Sequence, residues 1–331
     1  MRFIANCIHF DDGVATVTAF VGNLPHFSKD EIQTFTSLAN MVGQFSIYSA
    51  STPAEKTIAS KLGNDFLVAL LARLSQNGFT ISDDECQPLG FGLFSNAAMV
   101  NHSCAPNMVA SFHLTPHHPP SLRMRTVTAV PAGDELTISY IDVGATTAAR
   151  QEELAKSYCF TCNCNRCGDF ERDIWVQGTM CRAVNCKGVA DAQGKCTGCG
   201  GAAFHATISP PLVIDTIQEV ASSRLVKHFQ ASYKLSHTRL TAGNELVMRY
   251  IDGQDWNRAA VTLKDTLDAA EFCLFPNSPV IAVAFYKLTK LLEYLEIELE
   301  RAAGLRQRAA QILLVCYGKD NALYKEVSER W

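Results

Sequence analysis

Eight of the chain's thirteen cysteines fall between Cys159 and Cys199, and that concentration limits its fold more than any other feature. Cys159, Cys162, Cys164 and Cys167 form one tight group, and Cys181, Cys186, Cys196 and Cys199 form another. Zinc takes four thiolates tetrahedrally, and a CxxC turn presents two sulfurs to one metal. Two zinc ions are therefore expected, each inside a loop-rich stretch that has little else to hold it. Four-sulfur sites have no open position, so their role is structural, and activity has to be sought elsewhere.

The remaining composition is that of an ordinary globular protein. The 331 residues are 47% hydrophobic and 19% charged, with a formal net charge of -4. That balance argues against a dedicated nucleic-acid binder, which would show a basic stripe. No stretch has the apolar length of a membrane span. The N-terminus, MRFIANCIHFDDG, lacks the apolar core and cleavage site of a signal peptide. A reducing location, cytoplasmic or nuclear, is the expectation, and there clustered cysteines serve as metal ligands more often than as disulfides.

Along the chain, GVATVTAFVG reads as a strand by its β-branched content. Ser28, followed by Asp30 and Glu31, opens a helix through FTSLANMV. A second helix runs from near Asp65 to Asn77-Gly78. Short strands follow: FTI, GLFS, MVASFHL, LRMRTVTAV and ELTISY, with TPHHPPS as a loop and Pro131–Asp134 as a turn. Residues 146–157 are helical. From Pro210 onward, WNRAAVTLKDTLDAAEF, PVIAVAFYKLTKLLEYLEIELE and RAAGLRQRAAQILLVCYG carry helical apolar spacing, with short loops that suggest helix pairs. The fold class is α+β in three parts: residues 1–145, β-rich with a helical insert at about 28–76; a cysteine-rich module, 146–205; and a helical domain, 206–331.

Asn101-His102-Ser103-Cys104-Ala105-Pro106-Asn107 is the most informative run. Alone it suggests a Cys–His nucleophile pair, but side chains in an extended segment alternate faces, so His102 is not expected to activate Cys104. Three further runs accompany it in order: Asn77–Ile81 with Gly90–Phe94 ahead of it, Gly133–Asp142 after it, and Tyr158-Cys159-Phe160 leading into Cys162-Asn163-Cys164-Asn165-Arg166-Cys167. Together they resemble the SET-domain lysine methyltransferases, specifically the SET-and-MYND-domain (SMYD) family. The match covers roughly residues 60–170, and the helical C-terminus looks like that family's helical-repeat (TPR-like) domain.

The resemblance implies a knot-like core in which the NHSC run is threaded beside the ELTISY strand. It implies that Asn77, Asn101, His102, Tyr140 and Phe160 line an S-adenosylmethionine pocket, with Tyr140 as the active-site tyrosine. It also revises the first zinc set: Cys159 drops out, and Cys104 joins Cys162, Cys164 and Cys167. The second set, Cys181, Cys186, Cys196 and Cys199, is an addition to the family pattern. No Gly-rich SET strand and no MYND finger precede these motifs, and Ala98 stands where the family often has serine. Weak cofactor binding is therefore expected of the chain as it stands.

The leading reading is a protein-lysine N-methyltransferase acting on histone or non-histone lysines. The alternative is a catalytically inactive SET-family scaffold, stabilised by zinc, that binds proteins through its helical domain. A zinc-ribbon nucleic-acid binder is disfavoured by the charge balance. Monomeric behaviour, a protein substrate and no membrane association complete the expectation. His113, His117 and His118 read as solvated, Cys7, Cys86, Cys273 and Cys316 as buried or incidental thiols, and Trp256 and Trp331 as packing or terminal residues.

Overall fold

A computed structural model describes residues 20, 22–49, 52, 63–115, 118–181, 183, 185–191, 193–202 and 218–329. The strand read over GVATVTAFVG falls almost wholly outside them, as do Cys7, His117 and Trp331. Residue contacts divide the chain into two compact units that do not follow chain order. One is Met1–Ile81 with Pro88–Val100 and Glu152–Thr161; the other is Ser82–Gln87 with Asn101–Gln151 and Cys162–Trp331.

In the first unit, helix α1 (Lys29–Ser49) opens on a reciprocal cap. The Glu31 N–H donates to Ser28 Oγ, while the Ser28 N–H donates to Glu31 Oε2 at 2.9 Å. Helix α2 (Asn64–Asn77) packs against it around Ala39, Leu67, Val68 and Leu70. The spacing Phe35–Ala39–Val42 is the helical period that turns one face of α1 inward. Strands β1 (Gly78–Ser82) and β2 (Pro88–Leu93) form a two-stranded ribbon directly after α2.

In the second unit, β3 (Asn101–His102) pairs in parallel with β6 (Thr137–Ile138). Between them in sequence lies the antiparallel ribbon of β4 (Met108–Thr115) and β5 (His118–Thr126). The TPHHPPS loop is therefore shorter than the sequence suggests, because His118–Ser121 belong to β5 and Ser121 stands opposite His113. Prolines are tolerated there because a two-stranded ribbon has an outer edge that needs no N–H donor. ELTISY contributes only Thr137–Ile138 as strand. The predicted turn ahead of it is present: the Asp134 N–H donates to the Pro131 carbonyl, and Gly133 takes a φ of 98° that glycine adopts without steric cost.

Helix α3 (Thr147–Tyr158) leads into the cysteines, followed by the single turn α4 (Asn165–Gly168) and by α5 (Phe170–Gln177), which the sequence reading missed. The helical region comprises α6 (Gln218–Ala231), α7 (His237–Asp252), α8 (Trp256–Cys273), α9 (Pro279–Tyr294), α10 (Leu299–Cys316) and α11 (Ala322–Ser328). Each packs on the next in chain order. The run PVIAVAFYKLTKLLEYLEIELE is not one helix. It breaks at Tyr294, where Glu296 and Glu298 adopt φ of 56° and 46°, and Lys264 on α8 donates to Glu298 at 2.6 Å. The apolar period runs on through this stretch, but the backbone leaves the helix at these two positions. The core of this region is the inner face of α9, where Phe285, Tyr286, Leu288 and Leu292 are essentially inaccessible. Each such large side chain contributes about 1.5–3 kcal/mol by burial.

Gly243 sits mid-helix in α7, where glycine costs about 1 kcal/mol relative to alanine. Its reason is space: an added Cβ would lie 2.1 Å from Thr266 Oγ1 of α8. Thr266 cannot easily turn away, because its hydroxyl donates to the Thr262 carbonyl at 2.7 Å. Gly243→Ala is expected to destabilise the chain by about 1–2 kcal/mol in urea denaturation, the overpacking cost exceeding the gain in helix propensity.

Candidate functional site

Asn107 joins the NHSCAPN run to the segment before β6. Its Oδ1 accepts from the Thr137 N–H and its Nδ2 donates to the Glu135 carbonyl, both at 2.8 Å. The Ser103 N–H extends the parallel pairing by donating to the Ile138 carbonyl at 2.9 Å. These bonds bring His102 against Tyr140.

The Tyr140 N–H donates to His102 Nδ1 at 3.0 Å, and the two rings lie 5.2 Å apart. An amide N–H only donates, so Nδ1 is the acceptor and the proton of the neutral ring sits on Nε2. Nε2 lies 3.2 Å from Cys104 Sγ, to which it donates. The expectation that His102 and Cys104 face apart is corrected here: alternation separates neighbours, whereas positions two apart share a face. Burial, with Arg150 adding to it, pulls the imidazole down to about 4, so the ring is uncharged at neutral pH. Cys104 is nonetheless not a free nucleophile, because burial raises its thiol and its sulfur belongs to a cluster.

That cluster is Cys104, Cys162, Cys164 and Cys167, whose sulfurs all lie within 4.8 Å of one another. Gln151 on α3 grips the incoming chain at both main-chain atoms of Cys162: its Nε2 donates to the carbonyl at 2.6 Å and its Oε1 accepts from the N–H at 2.9 Å. Cys159 belongs to neither cluster. It ends α3 at a left-handed φ of 62° and receives a hydrogen bond from Gln76 Nε2 at 3.7 Å.

Cys181, Cys186, Cys196 and Cys199 form the second cluster within the same limit. Three of its sulfurs accept an N–H from two residues on: Ala183 to Cys181, Gly188 to Cys186 and Gly198 to Cys196, at 3.3–3.4 Å. In the turns Cys164–Cys167 and Cys196–Cys199 the N–H of the second cysteine also points at the sulfur of the first. Burial opposes ionisation of Cys164, but the Cys167 N–H and other donors hold its thiol down to about 6. The Cys199 N–H does the same for Cys196, also to about 6.

Both donor sets fit zinc. Tetrahedral Zn–S bonds of about 2.3 Å imply sulfur–sulfur edges of about 3.8 Å. The edges observed are 3.6 Å for Cys104–Cys167, 3.7 Å for Cys181–Cys199 and 3.4 Å for Cys186–Cys196.

The remaining site residues are spread over both units. Asn101 is exposed on β3 and donates to Glu135 Oε1 at 2.6 Å. Asn77 ends α2 and donates to the Arg73 carbonyl at 2.8 Å. Phe160 is half-buried just beyond α3, and both Asn77 and Phe160 lie in the first unit.

A protein-family model described as SET domain matches residues 27–141. The chain contains a SET domain. Over 110 residues, a third of the chain, it is 41% identical to N-lysine methyltransferase SMYD2-A of Xenopus laevis and 39% identical to N-lysine methyltransferase SMYD2 of Homo sapiens. The matched stretch is 24% of the length of each of those relatives. Histone-lysine N-methyltransferase ASHR1 of Arabidopsis thaliana is 24% identical over an alignment that takes in 96% of this chain and 69% of that protein. The SET match begins ahead of α1 and ends at Ile141, so it encloses β3, β6 and Tyr140 but neither α3 nor the cysteines that follow it. Among the described residues no helix is long and apolar enough to cross a membrane.

Sequence reasoning overlooked three contributors to the site: Asn107 as a clamp, Gln151 as a grip on Cys162, and Arg150 beside the first cluster. Gln151 and Arg150 carry no motif signal, since each acts through main-chain or sulfur atoms brought near by folding.

Two substitution sets test the clusters. Cys104→Ser should lower bound zinc from two ions per chain to one, while Cys159→Ser leaves two, read by metal analysis of the purified protein. Gly188→Ala should also remove one, because its Cβ would lie 2.5 Å from Cys196 Sγ and 2.6 Å from the Gly198 nitrogen.

Proposed function

We propose that this chain is an S-adenosylmethionine-dependent protein-lysine N-methyltransferase in which Tyr140 orients the acceptor lysine. The observation that carries the reading is the fixed His102–Tyr140 pair inside the SET domain, with Tyr140 held through its own N–H. The names of the SMYD2 and ASHR1 relatives, all lysine methyltransferases, support the reaction class.

When bound, the cofactor would supply an electrophilic methyl group on a cationic sulfur. The residues proposed around it in the second unit fit such a group: Asn101 offers a carboxamide, Tyr140 offers an aromatic face, and an uncharged His102 adds no positive charge beside the sulfonium.

The acceptor lysine must present a neutral amine. Deprotonating a free lysine at neutral pH costs about 4 kcal/mol, which a desolvated channel reduces. Tyr140 then acts by position: its hydroxyl oxygen accepts an amine N–H and so aims the nitrogen lone pair. His102 holds Tyr140 in place, and the first zinc set holds His102 through Cys104. Both zinc ions are structural in this reading, because four thiolates leave no open position. The substrate is a lysine-bearing protein, histone or not, met by a monomer in the cytoplasm or nucleus, where thiolate ligands stay reduced.

The test is methyl transfer to histone and non-histone acceptors, with and without Tyr140→Phe, alongside calorimetric titration with S-adenosylmethionine. The substitution should lower kcat on the order of 100-fold while leaving cofactor affinity within a few-fold. Neither transfer nor cofactor heat from the zinc-replete wild-type chain would overturn the proposal in favour of an inactive, protein-binding scaffold.

A further inference from the structure

We propose that Arg150 is a built-in counter-charge for the first four-sulfur centre and makes it the slower of the two centres to release metal. The inference rests on the reading that both clusters hold zinc.

Arg150 lies on α3 and is fully buried, which is unusual for a residue that stays charged at any physiological pH. Its Nη1 donates to the Ala145 carbonyl. Its Nη2 faces Thr147 Oγ1 at 2.9 Å, the Arg166 carbonyl at 3.5 Å and Cys167 Sγ at 3.8 Å, and the side chain also reaches Cys104 as a hydrogen-bond donor. Its Nε is buried with no partner. Among the described residues no carboxylate forms an ion pair with it. Asp142 feels its charge but bonds His237 instead, at 2.9 Å.

A buried guanidinium without a carboxylate needs another anion. The sulfurs of Cys104 and Cys167 are the anionic groups it touches. Four thiolates and one Zn²⁺ sum to a charge of about -2, and Arg150 offsets half of it inside a site where Cys104, Cys162 and Cys167 are buried. The second centre is built differently. Its sulfurs accept backbone N–H groups from Ala183, Gly188 and Gly198, which are dipoles without net charge, and Cys199 is exposed. Metal release replaces Zn–S bonds with bonds to a chelator, and each freed thiolate takes a proton from water. A fixed cation stabilises the zinc-bound thiolates against that proton, and burial keeps the chelator out.

The experiment uses the full chain loaded with two zinc ions, challenged with a chromogenic chelator while N-ethylmaleimide traps freed thiols for mass spectrometry. Two release phases are expected, with Cys181, Cys186, Cys196 and Cys199 trapped in the fast one and Cys104, Cys162, Cys164 and Cys167 in the slow one. Arg150→Gln should accelerate the slow phase about 10–100-fold and leave the fast phase unchanged, whereas Arg150→Lys, which keeps the charge, should recover most of the slow rate. A purely structural role predicts equal acceleration by both substitutions and would overturn the proposal. So would first-centre cysteines that are trapped first in the wild-type protein, a result that stands even if Arg150→Gln does not fold. A wild-type chain that binds no zinc would instead overturn the reading underneath.

Discussion

The sulfur cluster of Cys104, Cys162, Cys164 and Cys167 is the constraint on which the site depends. Cys104 ends the run that carries Asn101 and His102, while its three partners lie some sixty residues further on. No hydrophobic contact among such short strands could fix that meeting, since β3 and β6 contribute two residues each. Once the sulfurs are gathered, His102 Nε2 lies against Cys104 Sγ and its other nitrogen receives the Tyr140 N–H. The orientation of the tyrosine thus follows from the place of one sulfur in the cluster.

Around that centre, polar side chains do the work that strands do elsewhere. Asn107 supplies both a donor and an acceptor to the Glu135–Thr137 stretch, and Gln151 does the same for Cys162. Both behave as substitute backbone, satisfying main-chain groups that a longer sheet would have paired. The helical region rests mainly on apolar packing. Its elements bury one apolar face each, with caps at Ser236, Asp255 and Asn321 closing their N-termini.

What the sequence revealed tracks how local each signal is. The helices between Trp256 and Cys316 follow their apolar period, and the Pro131–Asp134 turn follows from Gly133. The break at Glu296–Glu298 was not legible, because the apolar period runs straight through it. The extent of β5 was hidden by two prolines that an edge position accommodates. At the site, cysteine spacing alone favoured Cys159 over Cys104, since the reason Cys159 turns away is a left-handed backbone at the end of α3. Only the family resemblance pointed to Cys104. The proximity of His102 and Cys104 was within reach of strand geometry, had the count been two residues instead of one.

The two loops of the second cluster interlock through their glycines. Gly188 faces Gly198 so closely that a methyl on either would enter the other's loop or sulfur. Neither loop can therefore drift in sequence on its own, since a change in one is tolerated only if the other's path moves with it. Such a pair is mechanically a single part: the sulfurs of either loop keep their places only while the two glycines keep their close approach.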